Sequence, residues 1–150
     1  MLLTTQRLSI RSLHRGDEWF FAGMAKDGSL ARDIGFDENC AEWIGDWMSE
    51  ALRFSERDDP RQDYIANAVC LHNGTVIGSV GCSWYEDLRE TGITYFIGNA
   101  YRGNGYVAEA IRAYVPWALT RYELPRMIAT VRDENAPSWK NVERCGFVLP

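Results

Sequence analysis

Apolar and polar residues alternate through Arg7-Leu8-Ser9-Ile10-Arg11, with Leu8 and Ile10 to one side, which is the period of a half-buried strand. From Asp17, expected as an N-cap, a short helix carries Trp19, Phe20 and Met24. After breaks at Gly28 and Gly35, the residues Ile44, Met48, Ala51 and Leu52 form one apolar stripe on a second helix spanning about residues 41–57. Trp43 and Trp47 lie one turn apart beside that stripe, placed to serve as core, as a lid or as a ligand contact. The runs YIANAVCL and VIGSVGCSWY flank HNGT, where Asn73-Gly74 is a strong hairpin signal. A two-residue turn there pairs His72 with Thr75; counting outward sets Cys82 opposite Ile65, on the other sheet face from Cys70. EDLRE makes the next turn and TGITYFIG the third strand of an antiparallel meander.

Val107, Ala110, Ile111, Tyr114, Val115, Ala118 and Leu119 then recur at helical spacing, on a helix that Pro116 is expected to kink or end early. RMIATVRD reads as a further strand. NAPSWKNVERCGF has the form of a capped helix, with Asn135 as N-cap, Pro137 in the first turn and Gly146 as the stop, before a final strand from Phe147.

Composition narrows the classes. With 150 residues, 46% of them hydrophobic, the chain suits one domain spanning residues 1–150. A formal charge of −5 argues against a nucleic-acid surface and accommodates a cationic small molecule or peptide. No apolar run is long enough to span a membrane and the start lacks a secretion signal, so no membrane partner and a cytoplasmic location are expected. Four cysteines without CxxC spacing and two isolated histidines argue against a metal site.

The stretch YRGNGYVAEA places two glycines immediately before a helix. A helix N-terminus carries unpaired N–H groups and a partial positive charge, and glycines let that backbone close on a phosphate. Arg102 adds a full charge. The stretch is neither a Walker A loop nor a Rossmann fingerprint, and a tight strand-to-helix turn would use the same glycines.

An antiparallel meander, RGNGYVAEA opening an amphipathic helix, a strand, and NAPSWKNVERCGF follow one another in the order seen in the GNAT superfamily of N-acetyltransferases, which this sequence resembles. TQRLSIR, VIGSVG and ITYFIGNAYRGNGYVAEAIRAYVPWAL look like the branch that includes ribosomal-protein N-terminal acetyltransferases of the RimJ/RimL type. The resemblance covers nearly the whole chain and is most specific in residues 93–147. It implies an α+β fold: a central, mostly antiparallel twisted sheet flanked by about four helices, with the C-terminal strands cut short.

The resemblance also implies a chemistry. Acetyl-CoA is the cosubstrate, its pyrophosphate held by Arg102, Gly103, Asn104, Gly105, Tyr106 and Val107; Val107 departs from the family's small residue at that place. The strand ending at Phe96 and Ile97 would splay from the one carrying Ile128 and Thr130, and pantetheine would fill the gap as a surrogate strand. A main-chain N–H near Phe96 or Ile97 would face the thioester oxygen. Asn135 would bond the pantetheine arm and Ser138 would lie near the sulfur, protonating the thiolate or holding its position. The family's frequent carboxylate falls on Gly92, which leaves Glu90 as the candidate base, and the family's tyrosine acid falls on Val142. The acceptor is a primary amine, on a protein N-terminus or a small molecule. The alternative is a module that binds coenzyme A or acyl-CoA with little or no transfer. Family members continue past the GF with two more strands, so the edge near residues 127–131 is expected to be shielded, for example in a homodimer, unless the sequence is truncated.

Overall fold

The computed structural model describes residues 1–131 and 136–148, with the side chains of Asp33 and residues 136–138 excepted. Five antiparallel strands lie side by side in chain order: β1 (Leu2–Thr4), β2 (Leu8–Ser12), β3 (Tyr64–Leu71), β4 (Val76–Tyr85) and β5 (Glu90–Ile97). Between β2 and β3 run α1 (Asp17–Ala25), the single turn α2 (Ala31–Ile34) and α3 (Ile44–Arg57). After β5 come α4 (Tyr106–Arg121) and α5 (Ala136–Arg144).

The alternation along the strands separates two cores. On one face, Phe21, Ile44, Met48 and Ala51 of α1 and α3 pack with Ala66, Ala68 and Cys70 of β3. On the other, Ile111, Tyr114 and Ala118 of α4 pack with Leu8, Ile10, Val80, Cys82 and Ile93. Leu8, Ile10, Ile44, Met48 and Tyr114 are wholly buried, so most apolar positions of β2, α3 and α4 read from the sequence exclude water, while Leu52, Val107, Val115 and Leu119 are half-buried at the margins of the stripes. Each fully buried side chain of this size contributes about 1.5–3 kcal/mol.

Cys70 and Cys82 do lie on opposite faces, and Ile65 does pair with Cys82. The route differs from the expected one. Leu71 donates to the Thr75 carbonyl at 2.9 Å, so the hairpin loop is longer than two residues, and a bulge between Val69 and Cys70 restores the register. Asp17 is the first helical residue and not the N-cap: its carboxylate accepts from the His14 N–H at 2.8 Å and from Arg11 at 2.8 and 3.0 Å. Burial raises the Asp17 pKa, and the Arg11 guanidinium together with the His14 N–H more than compensates, leaving it below the ordinary value.

The helix α4 continues through Pro116 to Arg121 without the early end. Pro116 is exposed, on the side of the helix away from the sheet. Of RMIATVRD, the described residues 126–131 form no strand; among them is one parallel bridge, Ile128 to Gly92. The N-terminal strand β1 was not anticipated. It is three residues long and carries no full period for a pattern to show. Gly146, at φ 94°, ends α5, with the Phe147 N–H donating to the Val142 carbonyl at 3.1 Å and the Gly146 N–H to Glu143 at 3.0 Å. Phe147 and Val148 are not in a strand.

Candidate functional site

The loop before α4 adopts the conformation its glycines permit. Gly103 and Gly105 have φ of 81° and 78°, a left-handed region that side chains with a Cβ rarely enter. The Asn104 amide folds back, donating to the carbonyls of Tyr101 at 3.1 Å and Arg102 at 3.3 Å. Among the described residues, the main-chain N–H groups of Gly103, Asn104, Gly105, Tyr106, Val107 and Ala108 have no protein acceptor, whereas the next, on Glu109, donates to Gly105 at 3.1 Å. This leaves a row of donors at the positive end of a sixteen-residue helix.

A brace from the start of the chain holds this row. Arg7 donates from Nη1 to the Asn104 carbonyl at 2.8 Å and from Nε to Glu109 at 2.7 Å, and its guanidinium lies 4.5 Å above the Tyr106 ring. Glu109 also accepts from the Thr5 hydroxyl at 2.6 Å and the Arg7 N–H at 2.9 Å. Partial burial pushes this carboxyl up, but those donors hold it below its ordinary pKa. The Arg7 charge therefore offsets an acid that would otherwise repel an anion. Sequence reasoning assigned Arg7 only to the polar side of a strand; a glutamate four residues after Gly105 was the available signal of a cation elsewhere.

Beside the loop, β5 and the segment 126–131 are held together at one place. Ile93 N–H donates to the Ile128 carbonyl at 2.9 Å and Ile128 N–H to the Thr91 carbonyl at 3.0 Å. Alternation directs the main chain of odd-numbered residues of β5 to that edge and of even-numbered residues to β4, as the Gly98 bond to Ile77 at 2.9 Å continues. Phe96 N–H accordingly faces β4, while Ile97 N–H faces the open edge with no acceptor among the described residues. Val107 is half-buried against the α4-face core, lining a small pocket with Ile97 and Ala110.

The proton-moving candidates are scattered. Glu90 is clasped by Arg126, whose Nε lies 2.7 Å away and whose Nη2 also touches it; that pairing holds the carboxyl below its ordinary pKa. Glu86 accepts from the Trp84 indole. Val142 is buried on α5. Asn135 lies outside the described residues, and Ser138 has its backbone in α5 and its side chain outside them.

On the α1/α3 face a chain of rings approaches the same strand. Trp43 meets Phe36 at 5.7 Å between centroids, Phe36 meets Phe96 at 5.5 Å, and Trp47 meets Phe36 at 5.1 Å. Both tryptophans beside the apolar stripe are thus joined through Phe36 to β5, with Trp43 still exposed.

Known proteins share this fold. Residues 7–148 match the model of the acetyltransferase (GNAT) domain. The uncharacterized N-acetyltransferase YjdG of Bacillus subtilis (strain 168) is 25% identical, over 99% of this chain and 90% of that protein. The ribosomal alpha-N-protein acetyltransferase RimL, solved in complex with coenzyme A, superposes with a TM-score of 0.83 over 100% of this chain and 85% of its own, at 13% identity. An acetyltransferase of the GNAT family from Bacillus anthracis gives 0.80 over 97% and 82%, at 21% identity. The likeness of fold and the family match agree: the chain belongs to the GNAT acetyltransferase family, which transfers acetyl groups from acetyl-CoA to amines.

Proposed function

We propose that residues 1–150 form a single domain that transfers acetyl from acetyl-CoA to a primary amine, either a protein N-terminus or a small molecule. The observation that carries this reading is the row of unclaimed N–H groups from Gly103 to Ala108, which offers a diphosphate the donors of a helix N-terminus without a Cβ in the way. Arg102 supplies further positive charge. The pantetheine arm lies along the open edge of β5, and the Ile97 N–H meets the thioester oxygen as charge builds there. In the reaction the amine nitrogen bonds the acetyl carbon and the C–S bond breaks. The nitrogen loses a proton to water or a base, and the thiolate regains one. Asn135 and Ser138 are the residues proposed for the pantetheine and the sulfur.

The neighbour RimL acts on a ribosomal protein, which makes a protein N-terminus a natural first acceptor to try. A second reading, coenzyme A binding with little transfer, draws on one feature: Glu90, the candidate base, is already committed to Arg126. We further propose a cytoplasmic enzyme; among the described residues no helix is long and apolar enough to cross a membrane. Pairing of two copies along the edge near residues 127–131 would shield the groups left beside the single Ile128 bridge.

The test is release of thiol from acetyl-CoA with a panel of amines and peptides. Release that depends on one acceptor class and is matched by an acetylated acceptor in mass spectrometry supports transfer. Saturable coenzyme A binding with no release above background supports the binding module.

A further inference from the structure

In a trans peptide the C=O and N–H point in opposite directions, so whatever holds the carbonyl also aims the N–H that follows it. Two carbonyls of the glycine loop are held in this way. The Asn104 amide donates to the Arg102 carbonyl at 3.3 Å, which turns the Gly103 N–H away from that side chain. Arg7 donates from Nη1 to the Asn104 carbonyl at 2.8 Å, which turns the Gly105 N–H away from the guanidinium. The first hold is local; the second comes from a residue 97 positions earlier. Without it the 104–105 peptide can rotate cheaply, because the residue after it is a glycine, at φ 78°, with no side chain to resist the turn. A rotated peptide would present the Asn104 oxygen where the row otherwise presents a donor.

Arg7 is itself fixed in place. The Thr5 N–H donates to the Leu8 carbonyl at 2.8 Å and the Leu8 N–H to the Thr5 hydroxyl at 3.0 Å, closing the turn that carries Arg7. The His72 Nε2 lies 3.1 Å from the carbonyls of both Thr5 and Leu8 and, with only acceptors before it, donates to them. Glu109 accepts from the Arg7 Nε at 2.7 Å, and the Tyr106 ring centroid lies 4.5 Å from the guanidinium carbon.

We propose that Arg7 is a positioning residue for coenzyme A: its hydrogen bond to the Asn104 carbonyl keeps the Gly105 N–H directed at the diphosphate. The inference rests on the reading above in which the N–H groups of residues 103–108 hold that diphosphate. The Gly105 N–H has no protein acceptor, and it belongs to the one peptide of the loop whose carbonyl is held by a side chain from outside the loop. The role differs from charge compensation. An uncharged donor at the same place would serve it, and a cation that failed to reach the carbonyl would not.

Two double variants of equal charge isolate the bond. Arg7→Met with Glu109→Gln removes the donor. Arg7→citrulline, introduced by semisynthesis, with Glu109→Gln keeps an uncharged donor of the same shape. The probes are coenzyme A and pantetheine, titrated calorimetrically into the intact chains, with Glu109→Gln alone as the reference. The citrulline pair is expected to bind coenzyme A within about threefold of the reference and the methionine pair at least about tenfold more weakly, with pantetheine affinity the same in all three. A structural defect would weaken both ligands together. Equal coenzyme A affinity in the two pairs, or a parallel loss for pantetheine, overturns the inference. Amide spectra of wild type give a second reading that needs no variant: coenzyme A should move the Gly105 N–H proton downfield and pantetheine should not. An unmoved Gly105 signal in a chain saturated with coenzyme A overturns the inference and leaves the transfer reading intact. Wild type that binds coenzyme A no better than pantetheine overturns the diphosphate reading and the inference with it.

Discussion

On the α4 side of β5, what is offered to a ligand is main chain: six N–H groups fixed by two left-handed glycines and braced by Arg7. On the α1/α3 side it is side chain: the ring series Trp43, Phe36 and Phe96, and the Tyr85 phenol over Gly92. Backbone donors follow from local φ and ψ, so a short stretch of sequence determines them. Side chains that converge from β4, β5 and the segment before α3 depend on register and on contacts far apart in the chain. The first arrangement suits a ligand part shared by all members of a family, the second a part that differs among them.

The comparison breaks most sharply at Gly105. Gly105→Val puts a β-branched residue at φ 78°, with its Cβ about 3.5 Å from the Arg7 guanidinium. Calorimetry should show coenzyme A affinity reduced by about 100-fold, near 2.7 kcal/mol, while the aromatic side is unchanged by near-ultraviolet circular dichroism. The two sides are tied at Asp58, the residue ending α3, which accepts from Arg121 at 2.7 Å and from the Tyr122 hydroxyl at 2.6 Å at the end of α4. Burial and then Asp58 push the Tyr122 hydroxyl pKa well up. Asp58→Ala orphans that hydroxyl and should cost about 2 kcal/mol in urea unfolding, with Asp58→Asn costing less.

Glu109 gives a smaller, pH-dependent effect on the main-chain side alone. Its folded pKa lies below the unfolded one, so its contribution is present above the unfolded pKa and is lost as pH falls through the folded value. Glu109→Gln should lose about 1 kcal/mol at pH 7, and its urea midpoint should fall less than that of wild type on acidification. The smallest effect sits beside the Ile128 bridge. Thr91 is 3% exposed and its hydroxyl has no partner among the described residues, so Thr91→Val should stabilise by roughly 0.5–1 kcal/mol in the same assay.

Legibility in the sequence followed the same division. Ile44, Met48 and Ala51, the α4 stripe and the meander were readable because each obeys one local period, and RGNGYV was readable because only glycine tolerates its backbone. The Cys82 to Ile65 pairing came out right although the loop was one residue longer than assumed, since the bulge cancels the difference. Arg7 was read only as a polar strand residue because its partners, Asn104 and Glu109, lie about a hundred positions away. Glu90 looked available because nothing local reveals Arg126. The packing of the Tyr85 ring over Gly92 left no trace in periodicity: it depends on the absence of a side chain seven residues later.

The central claim is that the N–H groups of residues 103–108 hold a diphosphate. Parallel titrations of the intact chain with coenzyme A and with pantetheine, which has the same thiol arm and no phosphate, test it most directly. The account predicts saturable binding of coenzyme A and at least about 100-fold weaker binding of pantetheine. Equal affinity for the two, or indifference to coenzyme A, would contradict it.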